Sequence, residues 1–218
     1  MPQDDKDVAH PASGILEKVA RYYTGRIEEF GPTPRGVDWN SPESQLTRFA
    51  QLSKAFGDAR QFSLNDLGCG YGALLDHLAG RGLQVDYRGF DISPTMVLQA
   101  AELHRNAPSA RFSIGDRPGE PADFCVASGI FNVKLDVDER DWMSHVERTI
   151  DGMNGVSKRA FAFNCLTSYS DPERRRTDLF YADPRVLFER CMRMYSRNVA
   201  LLHDYGLFEF TLIVRKNP

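Results

Sequence analysis

Asn65-Asp66-Leu67-Gly68-Cys69-Gly70-Tyr71-Gly72 is the stretch on which the fold turns. Phe62 and Leu64 ahead of it, with Leu67, read as a buried strand over 62–67. Ala73, Leu74, Leu75 and Leu78 behind it open a helix. Glycines at 68, 70 and 72 permit a tight turn and let the backbone approach a ligand, while the helix N-terminus offers free N–H groups. Taken alone, such a loop also serves as a plain strand-to-helix connection, so the rest of the chain must decide.

Downstream, short apolar runs at 86–91, 110–114, 122–128 and 160–166 alternate with amphipathic segments at 71–80, 94–106 and 139–153. This alternation predicts a parallel sheet covered on both faces. Asp183-Pro184 caps a further helix to Met194. Val199–His203 and Leu207–Val214 are both strand-like and are separated only by Asp204-Tyr205-Gly206, which predicts an antiparallel hairpin. Upstream, Ile15, Leu16, Val19, Tyr22, Tyr23, Ile27 and Phe30 recur at helical spacing over 13–30. Ser41-Pro42-Glu43 carries the start signals of a second helix that ends at Gly57. The expected fold is therefore α/β: a three-layer αβα, doubly wound, mostly parallel seven-stranded sheet with a C-terminal antiparallel hairpin and an N-terminal helical cap. We expect one domain, with 1–12 flexible, 13–57 as the cap and 60–218 as the core.

At 218 residues, 42% hydrophobic and 26% charged, the chain is an ordinary globular protein. Its net charge of −3 argues against nucleic acid as a partner. The basic run Arg174-Arg175-Arg176 lies among Asp171, Glu173 and Asp178 and reads as a solvated, self-compensated segment, with an anionic-substrate role second. Cys69, Cys125, Cys165 and Cys191 form no paired motif, so no metal is expected and a reducing, cytoplasmic location is. No apolar run approaches the roughly 20 residues of a membrane span. Nothing in the sequence fixes the oligomeric state.

The second strand supplies corroboration for the loop. It ends at Asp91, about 20 residues past the glycines, where a carboxylate can accept hydrogen bonds from a ribose. Ser93-Pro94 caps the next helix, which leaves that acid free for a nucleoside. Leu64–Gly72, Gly89-Phe90-Asp91-Ile92-Ser93, Ile114-Gly115-Asp116 and Phe124–Gly129 together resemble the ordered motifs of class I S-adenosylmethionine-dependent methyltransferases, small-molecule type. That family also closes its sheet with an antiparallel hairpin. The resemblance implies S-adenosylmethionine as cofactor and S-adenosylhomocysteine as product. It implies Gly68, Gly70 and Gly72 under the methionine and ribose parts, with Asp66 opening the motif. It further implies Asp91 on the ribose, Ile92 beside the adenine, Asp116 at its amino group, and Ser128 with Gly129 near the sulfonium. In the cap, Arg48 is a candidate partner for the cofactor carboxylate and Trp39 for the sulfonium or the lid.

For the acceptor, residues beyond the carboxyl ends of the strands are the candidates: Phe131 and Asn132, then Asn164, Ser168 and Tyr169, then His203, Asp204 and Tyr205. His203 is the expected base because its intrinsic pKa is near neutral, with Tyr169 and Tyr205 beside it in the catalytic set. Phe180-Tyr181 can line the acceptor site. The ending Ala127–Asn132 lacks an Asn/Asp-Pro-Pro-Tyr/Phe signature and favours a small-molecule acceptor methylated on O, N or S. Two rivals stand beside this reading. Gly68-x-Gly70-x-x-Ala73 also fits a relaxed NAD(P) oxidoreductase fingerprint, and a non-catalytic regulatory protein could keep the same nucleoside pocket.

Overall fold

A computed structural model describes residues 11–216, with side chains from residue 14. Seven strands form one sheet: β1 Gln61–Leu67, β2 Gln84–Asp91, β3 Ala110–Ile114, β4 Ala122–Ala127, β5 Ser157–Leu166, β6 Asn198–Leu202 and β7 Glu209–Arg215. The order across the sheet is β3-β2-β1-β4-β5-β7-β6. Strands β1 to β5 pair in parallel, and β7 runs antiparallel between β5 and β6. Six helices accompany it: α1 Pro11–Phe30, α2 Pro42–Ser53, α3 Ala73–Gly80, α4 Pro94–Leu103, α5 Glu139–Gly155 and α6 Pro184–Met194. The doubly wound sheet, terminal hairpin and helical cap are those read from the sequence. Helix α1 takes in Pro11 and Ala12, and the remainder of the segment expected to be flexible lies outside the described residues.

Alternation along the strands sends side chains to two cores, one on each face. From β5, Phe161, Phe163 and Cys165 join Trp142, Val146 and Ile150 of α5 and Leu187 of α6. The intervening Ala160 and Ala162 face the other layer, where Phe49 and Leu52 of α2 meet Leu74 and Leu78 of α3. Each fully buried Phe contributes about 1.5–3 kcal/mol. The small residues that alternate with them let helices pack close on the opposite face. Among the described residues no helix is long and apolar enough to cross a membrane.

Capping fixes where the helices point. Ser41 Oγ accepts from Ser44 N–H at 3.2 Å, and Ser44 Oγ returns the bond to Ser41 N–H at 3.3 Å. This reciprocal box, with Pro42 in the first turn, starts α2 abruptly after the Trp39 loop. Ser93 caps α4 at Met96 N–H, and Asp183 caps α6 at Arg185 N–H. The start of α2 in turn sets which face of the cap meets the sheet.

Candidate active site

A cavity opens at the carboxyl ends of β1, β2 and β4, where strand order reverses and ligands of such sheets sit. Its floor is the Leu67–Tyr71 loop, and its walls include Asp91, Ile92, Met96, Asp116, Ser128 and Trp39. Asp91 is 8% exposed. Its Oδ2 accepts from Gly70 N–H and its Oδ1 from Ser93 N–H, each at 2.9 Å, so one carboxylate ties the glycine loop to the start of α4. Burial pushes its pKa up to about 6, opposed by the N–H bonds from Ser93, Gly70 and Ile92. Asp66 lies deeper and accepts the Tyr87 hydroxyl. Burial raises its pKa to about 7, with the Tyr87 bond pulling the other way. A carboxylate offers about four acceptor positions, so Asp91 keeps acceptor capacity beyond its backbone bonds, which suits it to a vicinal diol.

Of the residues expected around the cofactor, Asp66, Gly68, Gly70, Asp91, Ile92, Asp116, Ser128 and Trp39 line this cavity, whereas Gly72 and Arg48 do not. Gly72 is the residue preceding α3, with φ +86, and a Cβ there would stand 2.7 Å from His104 Nε2. Its glycine is set by helix entry and by packing against His104 and Phe112. Arg48 faces away, toward β7. Its Nε and Nη2 donate to the two oxygens of Glu209 at 2.9 and 2.6 Å, and its Nη1 donates to Ser44 O at 2.8 Å. A guanidinium so occupied has no edge left for a cofactor carboxylate. Instead it stacks on Trp39, 3.9 Å from the ring centroid. The indole in turn fills the space above Gly129, where φ is +78 and a Cβ would lie 2.3 Å from Trp39 Cη2. Glu209 also accepts from Asn164 Nδ2 at 2.7 Å, and Asn164 Oδ1 accepts from Gly129 N–H at 2.8 Å. Trp39 and Gly129 are thus held from both sides by one buried chain of bonds.

Trp39, Tyr23 and Val37 also form a wall of a second, more polar chamber, with Asn132, Ser170, Arg174, Arg176, Tyr181, Phe208 and the Arg48–Glu209 pair around it. His203, Tyr169 and Tyr205 line neither space. His203 is exposed just past β6 and meets the rings of Tyr169 and Phe210 at 6.1 and 6.5 Å. Tyr205 bonds Thr211 Oγ1 at 3.1 Å, and burial raises its pKa. The cause is topological. β6 points the expected way, but β7 lies between it and β5, which moves its end two strand spacings, about 10 Å, sideways. Gln45, Tyr71 and His145 line the first cavity without having been singled out as cofactor contacts. Gln45 Oε1 accepts the Tyr71 hydroxyl at 3.1 Å. Burial lowers the His145 pKa, so its ring is neutral at pH 7. Gln45 stands one turn before Arg48 on α2, and the cue was its place one turn before the inward-facing Phe49.

A methyltransferase-domain family model matches residues 65–150, from the middle of β1 into α5. A relative from Mycobacterium tuberculosis, named as a methyltransferase, is 56% identical over 158 residues, covering 72% of this chain and 95% of its own. The chain belongs to the class I S-adenosylmethionine-dependent methyltransferases. It is an enzyme of that family, which removes the oxidoreductase rival. Solved structures agree on the fold. DhpI, solved with S-adenosylhomocysteine, superposes with a TM-score of 0.67 at 17% identity over 94% of this chain and 98% of its own. Phosphoethanolamine N-methyltransferase 1 of Haemonchus contortus, solved with phosphoethanolamine and S-adenosylhomocysteine, gives 0.65 at 11% identity over 96% of this chain and half of its own. Synechocystis magnesium protoporphyrin IX methyltransferase gives 0.56 at 14% identity over 98% and 90%.

The cavity fits the family's cofactor on its own evidence. Ser128 Oγ is buried on its wall with no hydrogen-bond partner among the described residues, an orphan that a bound ligand would satisfy. The Asp91 carboxylate and the apolar Ile92 and Met96 supply a diol acceptor next to surfaces for a flat ring. Among the described residues no cluster of metal-ligating side chains occurs.

Proposed function

We propose that this protein methylates an O, N or S atom of a small-molecule acceptor, with residues 13–57 capping one catalytic domain over 60–218. The observation that carries the reading is the junction at Trp39, where the cavity holding Asp91 and a polar chamber share one wall of Tyr23, Val37 and Trp39. When bound, S-adenosylmethionine supplies a methyl group on a sulfonium, which leaves with neither electron of its carbon–sulfur bond as the acceptor's lone pair forms the new bond.

The chain's own residues would hold and screen that reaction. Asp91 binds the ribose hydroxyls, Ile92 and Met96 flank the adenine, and Asp116 with the neutral His145 meets its edge. Gln45, whose amide nitrogen bonds no described residue, replaces Arg48 as the donor for the methionine carboxylate. Trp39, over Gly129 and beside Ser128, presents an aromatic wall to positive charge and excludes water. The carboxylates that border the polar chamber, Asp38 and Glu209, are already engaged as acceptors. We therefore assign rate acceleration to alignment and desolvation, with no side-chain base among His203, Tyr169 and Tyr205, and an acceptor that carries a proton at the methylated atom releases it to solvent. Four buried free cysteines support a reducing, cytoplasmic setting.

Calorimetric titration with S-adenosylmethionine, S-adenosylhomocysteine and NAD(H), followed by acceptor panels read by S-adenosylhomocysteine release, tests the proposal. Binding of both sulfur nucleosides and not NAD(H), with turnover on at least one small molecule, is expected. Binding without turnover on any acceptor would favour the regulatory reading.

A further inference from the structure

The polar chamber beside Trp39 has an asymmetry in its unused hydrogen-bonding capacity. Its acids are spent. Glu209 takes both Arg48 nitrogens and Asn164 Nδ2, and Asp38 takes Arg26 Nη2 at 3.0 Å on one oxygen and the Tyr22 hydroxyl at 2.9 Å on the other. Its donors are not. Asn132 is 5% exposed, and its Oδ1 accepts from Leu166 N–H at 3.1 Å, yet its amide nitrogen bonds no described residue. That nitrogen is not sealed in protein either, so it opens on the chamber that Asn132 lines.

Arg174 stands over the same space. Its guanidinium donates no hydrogen bond among the described residues. It lies 5.5 Å from the centroid of the Phe208 ring, and its one acidic neighbour, Asp171, is 3.6 Å away at an exposed edge. Arg176 differs, since Nε and Nη2 both engage Asp178, at 3.1 and 2.5 Å. Arg175, between them, donates to the carbonyls of Ser170 and Ser168 and does not line the chamber. Within the basic run, Arg174 is therefore the member that lines the chamber with its hydrogen-bond donors unspent, paired only at long range with Asp171, and the Asn132 amide lines the same space.

An arginine and a buried amide, both with donors to spare, make a site for oxygen acceptors that carry negative charge. We infer that the polar chamber binds an acceptor molecule through an oxyanion, a carboxylate or a phosphate, held by Arg174 and the Asn132 amide. This inference rests on reading the neighbouring cavity as the cofactor site. It assigns the acceptor's anchoring group and leaves the methylated atom to the part of the molecule that reaches past Trp39.

The test titrates the full chain, with and without saturating S-adenosylhomocysteine and at constant ionic strength, with inorganic phosphate and with malonate. Saturable 1:1 binding of at least one anion is expected. It should weaken tenfold or more in Arg174→Ala and in Asn132→Asp, and should be unchanged in Arg193→Ala, an exposed arginine on α6. Asn132→Asp keeps the acceptor for Leu166 N–H while removing the donor, so it probes the amide without unpairing the backbone. Tighter phosphate than malonate binding names a phosphoryl acceptor, and the reverse order names a carboxylate. Binding of neither anion, or equal weakening by all three substitutions, would overturn the proposal. Failure of S-adenosylhomocysteine to bind the same sample would instead overturn the cofactor reading, and the anion titration without it still reports on the chamber.

Discussion

Replacing Arg48 with methionine keeps most of the side chain's bulk and removes its charge. Glu209 is 1% exposed, so it would keep a charge in the interior with only the Asn164 amide of its three donated bonds. Breaking one side of a buried ion pair costs about 3–5 kcal/mol, because the stranded charge pays its desolvation unaided. For a chain of this size that corresponds to a fall in Tm of about 6–20 °C. The double variant Arg48→Met/Glu209→Gln removes the stranded charge and should recover most of the loss. Urea unfolding followed by far-ultraviolet circular dichroism compares the parent with both variants, and an unchanged m-value keeps the comparison clean. A loss below about 1 kcal/mol in Arg48→Met, or a double variant no more stable than the single, would refute the account of the pair as a buried tie between cap and sheet. S-adenosylhomocysteine affinity should fall alongside stability in Arg48→Met, since Trp39 loses the guanidinium on which it stacks.

In the proposed cofactor pose, Asp91→Ala removes a charged acceptor for two ribose hydroxyls, at about 1.5–3 kcal/mol each, and calorimetry should read about 100-fold or greater weakening for S-adenosylhomocysteine; unchanged affinity would show that the ribose lies elsewhere. Acidity acts on the same carboxylate. With the free-protein pKa of Asp91 raised to about 6, affinity should drop as pH falls below 6, about tenfold per unit. Stability of the ligand-free protein moves the other way. The folded pKa values of Asp66 and Asp91 lie above the ordinary 3.8, so the folded state holds protons that the unfolded state has lost. Their contribution is complete near pH 4 and declines as pH rises through 6 and 7, and thermal melts across that range that show no such decline would contradict the burial of these acids. Gly129→Ala must place a Cβ in the left-handed region, a cost of about 1–2 kcal/mol, and must also push Trp39 aside. Reduced Tm together with a red-shifted tryptophan emission is the expected pair of signals, and an unmoved emission would count against the contact. His203→Ala should leave both S-adenosylhomocysteine affinity and turnover within about twofold of the parent, since a surface change away from both cavities removes little; a tenfold loss of turnover alone would return the histidine to the mechanism.

The parallel sheet was legible because β1 to β4 end at or near Gly68, Asp91, Gly115 and Gly129 and because helical patterns separate the strands. The second helix was legible because Ser41-Pro42 is an unambiguous start. Asp91 could be placed by its distance from the glycine loop. The errors at His203, Tyr205 and Arg48 share one origin, which is that a sequence gives position along the chain and not position across the sheet. His203 sits at the correct end of its strand, but nothing local announces that β7 inserts between β6 and β5. The signal that Arg48 meets an acid lies in Glu209, a single carboxylate heading the mostly apolar run Phe210 to Val214. Neither residue reveals the other until the sheet order is known. Asn132 and Arg174 drew attention only as a strand-end amide and a member of a basic run. Their shared role depends on which neighbours have already used up their hydrogen bonds.

Arg48 and Glu209 are 161 residues apart, and this separation has a consequence for biosynthesis. The helices that cover the catalytic cleft emerge from the ribosome long before the strand that fastens them. Until β7 is made and inserted beside β5, Trp39 has no Arg48–Glu209 anchor behind it. A nascent chain can therefore build β1 to β5 and their helices before Trp39 is braced, and the tie between cap and sheet arrives in a late step.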